Sequence, residues 1–258
     1  MQAGELKPLK EFTLPKMLTA AKTEDNYFVQ IILAQVAEQE GNLPRARACY
    51  LRASALKPEV YALYDTILVL DMRLADKVSA EQHARKFLAK DRSHPLANYV
   101  MGSLALESGD LKQAENYLVA ATDATIEQPI PAAFNDLAET YRRLGQWEPA
   151  LEAARRAAEL EPSLAVAYET MAMARLQLGH LAEAEAAIQR AIALDAESRP
   201  DAPRDPRLLL TQARIALANN RPDLARIAII EVKRQVAQLD THTKAEFDEL
   251  ARTLGMEP

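Results

Sequence analysis

Glycine, cysteine and aromatic residues are scarce in this 258-residue chain, and each scarcity removes a class of explanation. Seven glycines form neither a G-x-G-x-x-G nor a P-loop pattern, so no phosphate-cradling loop is expected. The single cysteine, Cys49, excludes an internal disulfide framework. His83, His94, His180 and His242 are never three or four residues apart, and none pairs with Cys49, so no metal site and no cofactor are expected. No apolar run approaches the ~18 residues that a membrane-spanning helix needs. Lys and Arg number 31 against 37 acids, giving a net charge of −6. That balance lacks the clustered cations that neutralise phosphates, so nucleic acid is not the expected partner. The groups Arg45/Arg47/Arg52 and Arg155/Arg156 lie among acids and read as solvated helix faces. The opening stretch MQAGELKPLKEFTLPKML lacks the uninterrupted apolar core of a signal peptide. The expected location is the cytoplasm, with a periplasmic or lipid-anchored site as the alternative if a leader precedes the sequence.

What is present is alanine, with 49% apolar and 26% charged residues overall. Alanine is the strongest helix former and lets helix axes approach closely, so an all-helical globular chain is expected. A ruler laid from Gly145 finds Gly179 34 residues later, Gly109 36 residues earlier, and Gly41 two further steps of 34 back. Two residues after these glycines stand Trp147, Leu181, Leu111 and Leu43; five residues after stand Ala150, Ala184, Ala114 and Ala46. Each period reads as two helices. In the unit from Pro131, one apolar stripe runs through Phe134, Leu137, Ala138, Tyr141 and Leu144. Gly145 permits the left-handed turn that ends that helix. A second stripe follows through Ala150, Ala154, Ala157 and Ala158. Pro149 and Pro44 fall in first turns, where a missing N–H costs nothing.

Phe134, Leu137, Ala138, Tyr141, Gly145, Trp147, Ala150, Ala157 and Pro162 match the fixed places of a 34-residue motif, and Ala154 departs from it. The chain thereby resembles the tetratricopeptide repeat family. The resemblance implies an all-α, right-handed α-solenoid, a superhelix of antiparallel helix pairs. Six units are expected, at 27–60, 61–94, 95–128, 131–164, 165–198 and 206–239. In the second, Ala75 replaces the turn glycine, and in the sixth Asn220 does. Residues 199–205, RPDAPRD, read as a loop between the fifth and sixth units. Residues 1–26 read as an N-terminal arm or cap, through Leu6, Leu9, Phe12, Leu14, Met17 and Leu18. Residues 240–258 read as a C-terminal capping helix. Thr243 and Glu246 are spaced as its capping box, and Phe247, Leu250, Ala251 and Leu254 form its apolar stripe. Such a helix would lid the last pair at Leu224, Ile227, Ile229 and Ile230.

No catalytic residue is expected. Cys49 reads as a half-buried structural thiol, and paired acids such as Glu148/Glu152 lie on helix surfaces. The resemblance instead implies a concave groove lined by the first helix of each unit. On the fourth unit its positions fall at Asn135, Asp136, Glu139, Arg142 and Arg143, four of which follow i, i+4, i+7, i+8 spacing. Elsewhere they fall at Gln35 and Glu38, at Asp65, Met72 and Arg73, at Tyr99, Ser103 and Glu107, at Glu169, Met173 and Gln177, and at Arg207, Leu210 and Arg214. Acids and arginines interleaved with Met, Leu and Tyr suit an extended or helical peptide, with arginine able to grip a carboxylate. The bland alternative is that Arg142 and Arg143 merely pair with Glu139, Glu169 or other neighbouring acids. The family's carboxylate clamp, with Lys at position 5 of its units, is not expected, because no unit here places Lys there. The resulting expectation is a non-catalytic protein-interaction scaffold with a protein or peptide partner. The alternatives are a pilotin-like accessory of envelope or type IV pilus assembly, a substrate-recruiting module of a larger enzyme, and self-association.

Overall fold

The computed structural model describes residues 26–256, so the arm or cap expected from residues before Asn26 lies outside the described residues. Among the described residues there are thirteen α-helices and no strand. They run as α1 (Tyr27–Gln39) and α2 (Leu43–Leu56), α3 (Ala62–Arg73) and α4 (Lys77–Leu88), and α5 (Pro95–Ser108) and α6 (Leu111–Ala121). Then come α7 (Pro131–Arg143) and α8 (Trp147–Leu160), α9 (Ala165–Gln177) and α10 (Leu181–Ser198), and α11 (Pro206–Ala218) and α12 (Pro222–Lys233). A short 3-10 turn, Val236–Gln238, leads into α13 (Thr241–Thr253). The architecture is an all-α solenoid of antiparallel helix pairs.

One turn chemistry recurs within the pairs. After α7, the Gly145 N–H donates to the Arg142 carbonyl at 3.1 Å and the Gln146 N–H to the Tyr141 carbonyl at 2.9 Å. These two bonds satisfy carbonyls that the helix end leaves open, and they need a residue in the left-handed region. Gly145 supplies it with φ +72°. After α3 the same pair of bonds forms, Ala75 to Met72 at 3.0 Å and Asp76 to Asp71 at 3.1 Å, although Ala75 must adopt φ +52°. Asn220 does the same after α11 at φ +55°. In the earlier turns the closing residue also opens the next helix. The Asn42 side chain accepts from the Arg45 N–H at 3.2 Å, Asp76 from Ser79 at 3.1 Å, and Asp110 from Gln113 at 3.1 Å. One residue therefore ends one helix with its N–H and caps the next with its side chain.

The chain forms two compact units, dividing after Leu104. In the first, Tyr64 stacks on Phe87 with ring centroids 4.1 Å apart, and both are buried beside Ile67 and Leu68. A polar cluster sits in the same layer. Asp71 is fully buried and accepts from Arg47 Nη1 at 2.8 Å, while His83 Nδ1 lies 2.7 Å from its other oxygen. Arg47 Nη1 also donates to Asp76 at 2.8 Å. Arg47 is thus a half-buried tie between α2, α3 and the α4 cap rather than part of a solvated face, as Arg45 and Arg52 are. Burial of Asp71 demands such partners, because an unpaired carboxylate there would lose its hydration for nothing.

In the second unit, alanines let the pairs close. Ala150, Ala154 and Ala157 on α8 are fully buried, as are Ala138 on α7 and Ala172 on α9. The loop 199–205 folds back on the buried Asp195, which accepts from Arg199 Nε at 2.9 Å and from the Asp205 N–H at 3.2 Å. At the end of the unit, α13 inserts Phe247, Leu250, Ala251 and Leu254 into one cluster with Leu209, Leu210, Ala225, Ile229 and Val232. Its cap differs from the sequence expectation. Asp240, not Thr243, is the N-cap, accepting from the His242 N–H at 2.9 Å and the Thr243 N–H at 3.0 Å. Thr243 Oγ1 itself donates to Asp240 at 2.7 Å, and Glu246 turns away from the helix start to meet Arg214 at 3.1 Å. The lid covers one face of α12 only: Ile229 is buried, whereas Leu224, Ile227 and Ile230 are 45%, 62% and 47% exposed.

Candidate binding groove

Within the second unit, α7, α9 and α11 lie side by side, and α13 closes the row. Between them opens a pocket of about 550 Å³. Its walls are built from positions that the repeat's own packing leaves free. From α7 come Asn135, Glu139, Arg142 and Arg143, which share one helix face. Val166, Glu169, Thr170 and Met173 come from α9, and Arg207, Thr211 and Arg214 from α11. Asp240, His242, Thr243 and Glu246 come from α13 and the residue before it.

The arginines are held in place by neighbouring acids. Arg142 grips Glu139 with two parallel bonds, from Nε at 2.6 Å and Nη2 at 2.8 Å. Arg143 Nε reaches the same carboxylate at 2.6 Å. Burial works against the charge of Glu139, but the hydrogen bonds and charges of the two arginines outweigh it and hold its carboxyl below the usual range. Arg207 pairs with Asp205 at 3.2 Å and Arg214 with Glu246 at 3.1 Å. The pairings expected under the bland alternative therefore exist, and they sit inside the pocket.

Glu169 differs from these acids. It accepts one hydrogen bond, from Thr211 Oγ1 at 3.2 Å. Burial pushes its carboxyl above the usual range, and the opposing charges of Arg207 and Arg142 do not reverse that. At the same register on α7, the buried Oδ1 of Asn135 has no hydrogen-bond partner. The Asn135 amide nitrogen faces Asp136 at 3.5 Å, on the side away from that oxygen. Each threonine hydroxyl has a fixed acceptor: Thr170 donates to the Val166 carbonyl at 3.2 Å, Thr211 to Glu169, and Thr243 to Asp240. The arrangement offers paired charges, two open acceptors and a small apolar patch at Val166 and Met173. Among the described residues no group of three or more His, Cys, Asp or Glu could hold a metal ion. Cys49 lies in the first unit, where burial raises its thiol above the ordinary value.

The pocket gathers eight of the groove residues singled out from sequence: Asn135, Glu139, Arg142, Arg143, Glu169, Met173, Arg207 and Arg214. Asp136 is not among its walls. Asp65, Arg73 and Tyr99 belong to the first unit. There Asp65 lies 3.6 Å from His94, Arg73 lies 4.0 Å from Glu38, and the Tyr99 ring is buried rather than presented. Tyr99 sits on a stretch of helix that is apolar on several sides, with Ala97, Val100 and Met101 also buried. Leu210 is likewise a core residue, covered by the Phe247 cluster. Val166, Thr170 and Thr211 escaped notice because small and hydroxyl side chains carry no charge signal. The contribution of α13 had no signal in the repeat at all, since it lies beyond the last period.

Known proteins place this geometry in context. The tetratricopeptide repeat profile matches residues 99–165 and 170–235, which is half of the chain. No curated protein matches the sequence. Among solved structures, one from a functional characterisation of Pseudomonas aeruginosa PilF superimposes with a TM-score of 0.64 at 17% identity, covering 89% of this chain and 99% of that one. PilW, described as a widely conserved type IV pilus biogenesis factor, gives 0.60 at 17% identity, covering 87% and 97%. YrrB, a tetratricopeptide repeat protein with an unusual peptide-binding site, gives 0.58 at 19% identity, covering 78% and 97%. At these identities the likeness is one of fold.

Proposed function

The chain belongs to the tetratricopeptide repeat family, and from that premise we propose that it is a non-catalytic scaffold that docks a segment of a partner protein in the groove of its second unit. The observation that carries this reading is the pocket's composition. Four helices turn toward one cavity the charged, hydroxyl and small apolar residues that the repeat does not require for its own packing. A cavity of about 550 Å³ lies within the ~300–1,000 Å³ range of ligand pockets. Its walls are mostly charged, which fits a polypeptide segment with polar side chains better than an apolar small molecule. Self-assembly is not required by this reading.

The test is selection from a fully randomised peptide library displayed on phage, with the wild-type protein and Val166→Trp as baits. Val166 is half-buried on the groove wall, so an indole there fills the cavity without entering the core. Peptides enriched on the wild type should fail to bind the variant, whose melting temperature stays unchanged. Equal binding to both would place the docking surface elsewhere and overturn the reading.

A second reading places the protein in the assembly of envelope appendages. It is favoured by the near-complete coverage of the PilF and PilW chains, 99% and 97%, at full solenoid length. Deletion of the gene should then abolish surface pili. Normal piliation in the deletion strain would remove this reading while leaving the scaffold proposal intact.

A further inference from the structure

We propose that the groove recognises a basic side chain, lysine or arginine, of the docked segment, and that Glu169 and Asn135 form its receptor. The inference rests on the docking reading and specifies its partner chemistry.

The two residues are 34 positions apart and occupy the same register on neighbouring first helices, α7 and α9, so both face the cavity from adjacent walls. Both also present unfilled acceptors. Asn135 Oδ1 is buried with no partner, while its amide nitrogen lies 3.5 Å from the Asp136 carboxylate. Glu169 accepts only the Thr211 hydroxyl and makes no ion pair, although its carboxylate has room for several donors. Buried acceptors left open are costly in a folded chain, and their presence in a cavity wall marks where a donor is expected to arrive.

The groove's ion pairing points the same way. Its four arginines are each held by a carboxylate: Arg142 and Arg143 by Glu139, Arg207 by Asp205, Arg214 by Glu246. The lining's four acids equal its arginines in number, and because Arg142 and Arg143 share Glu139 while Arg207 turns to Asp205 outside the lining, Glu169 and Asp240 remain without an arginine. Asp240 is spent on capping α13. Glu169 is thus the one acid of the pocket lining that neither pairs with a cation nor caps a helix. An arriving ammonium or guanidinium would fill both open acceptors and neutralise that charge. An arriving carboxylate would meet Glu139, Glu169 and Glu246 and find every arginine engaged.

The experiment extends the peptide selection to Glu169→Gln and Asn135→Ala. Glu169→Gln keeps the side chain's shape and, through its amide oxygen, the bond from Thr211, while it removes the charge and turns one acceptor into a donor. Wild-type protein should enrich peptides with Lys or Arg at one dominant position. Replacing that residue by norleucine in a synthetic fluorescent peptide should weaken binding about ten- to a hundredfold, measured by anisotropy. Against Glu169→Gln the lysine and norleucine peptides should bind alike, and Asn135→Ala should lie between. Peptides that depend on the groove but show no basic preference, or a preference that survives Glu169→Gln, would overturn this inference and leave docking standing. A library that yields no groove-dependent peptide would overturn both.

Discussion

The turn after α3 makes the sharpest quantitative prediction. Ala75 is an alanine held at φ +52° because the α3 end closes by the same two hydrogen bonds that glycine closes elsewhere. A Cβ in the left-handed region crowds the following carbonyl by about 1–2 kcal/mol. Ala75→Gly relieves that strain but adds freedom to the unfolded chain, which costs back about 0.4–1 kcal/mol. Ala75 is exposed, so little apolar contact is lost. The net gain is about 0.5–1 kcal/mol. For one cooperative transition in a chain of this size, that raises the melting temperature by about 1–4 °C. The converse change, Gly145→Val, places a β-branched residue at φ +72°. A Cβ built at Gly145 meets nothing within 4 Å, so the expected loss of about 1–3 kcal/mol is conformational rather than steric crowding by neighbours. Both are read by thermal and urea unfolding followed by circular dichroism. A loss of stability on Ala75→Gly, or none on Gly145→Val, would refute the argument from left-handed turns.

Three more outcomes are expected. Asp71→Ala leaves Arg47 and His83 without their buried acceptor and should destabilise the first unit by about 2–4 kcal/mol, read as a lowered urea midpoint; a change within error would mean the cluster is incidental. Glu169→Gln should stabilise the protein at neutral pH. The folded carboxyl is raised above its usual 4.5 by burial, so the charged form is penalised, and the penalty fades as pH falls through the raised value. Facing it are Glu139 and Arg142 on α7, Arg207, Thr211 and Arg214 on α11, and Asp240, His242 and Glu246 at α13, all of which the variant retains. Melting curves across a pH series should show the variant's advantage shrinking toward pH 4.5, and a gap that widens on acidification would reverse the assignment. Truncation before Asp240 should expose Leu209, Leu210 and Ile229 and raise binding of a hydrophobic dye; unchanged dye binding would show that α13 is not the cover.

Much of this molecule was readable one residue at a time. The helix pairs follow from a period marked by Gly41, Gly109, Gly145 and Gly179, because a left-handed turn tolerates few residue types. The α7 face was readable because Asn135, Glu139, Arg142 and Arg143 are choices that helix packing did not dictate. Contacts that join three helices were not readable. Arg47, Asp71 and His83 look like ordinary surface charges until α2, α3 and α4 stack, and nothing in their spacing ties them together. The end of the groove was hidden for a related reason. Glu246 and Thr243 matched a local capping pattern, but Asp240 offers the helix a better acceptor one turn earlier, which releases Glu246 to Arg214. Leu210 shows the reverse: the repeat register turns it toward the groove, and the terminal helix then covers it.

The double duty of α13 has a thermodynamic consequence. Its inner face seals the apolar end of the solenoid, while its first turn walls the pocket. Any occupant that touches Asp240, His242 or Glu246 therefore binds only molecules whose terminal helix is docked. Occupancy and docking are linked equilibria, and a ligand at a hundred times its dissociation constant would hold that helix down by about 2.7 kcal/mol. Fraying of α13 and release of its partner would then be one event, with hydrogen exchange in residues 241–253 slowing in proportion to occupancy.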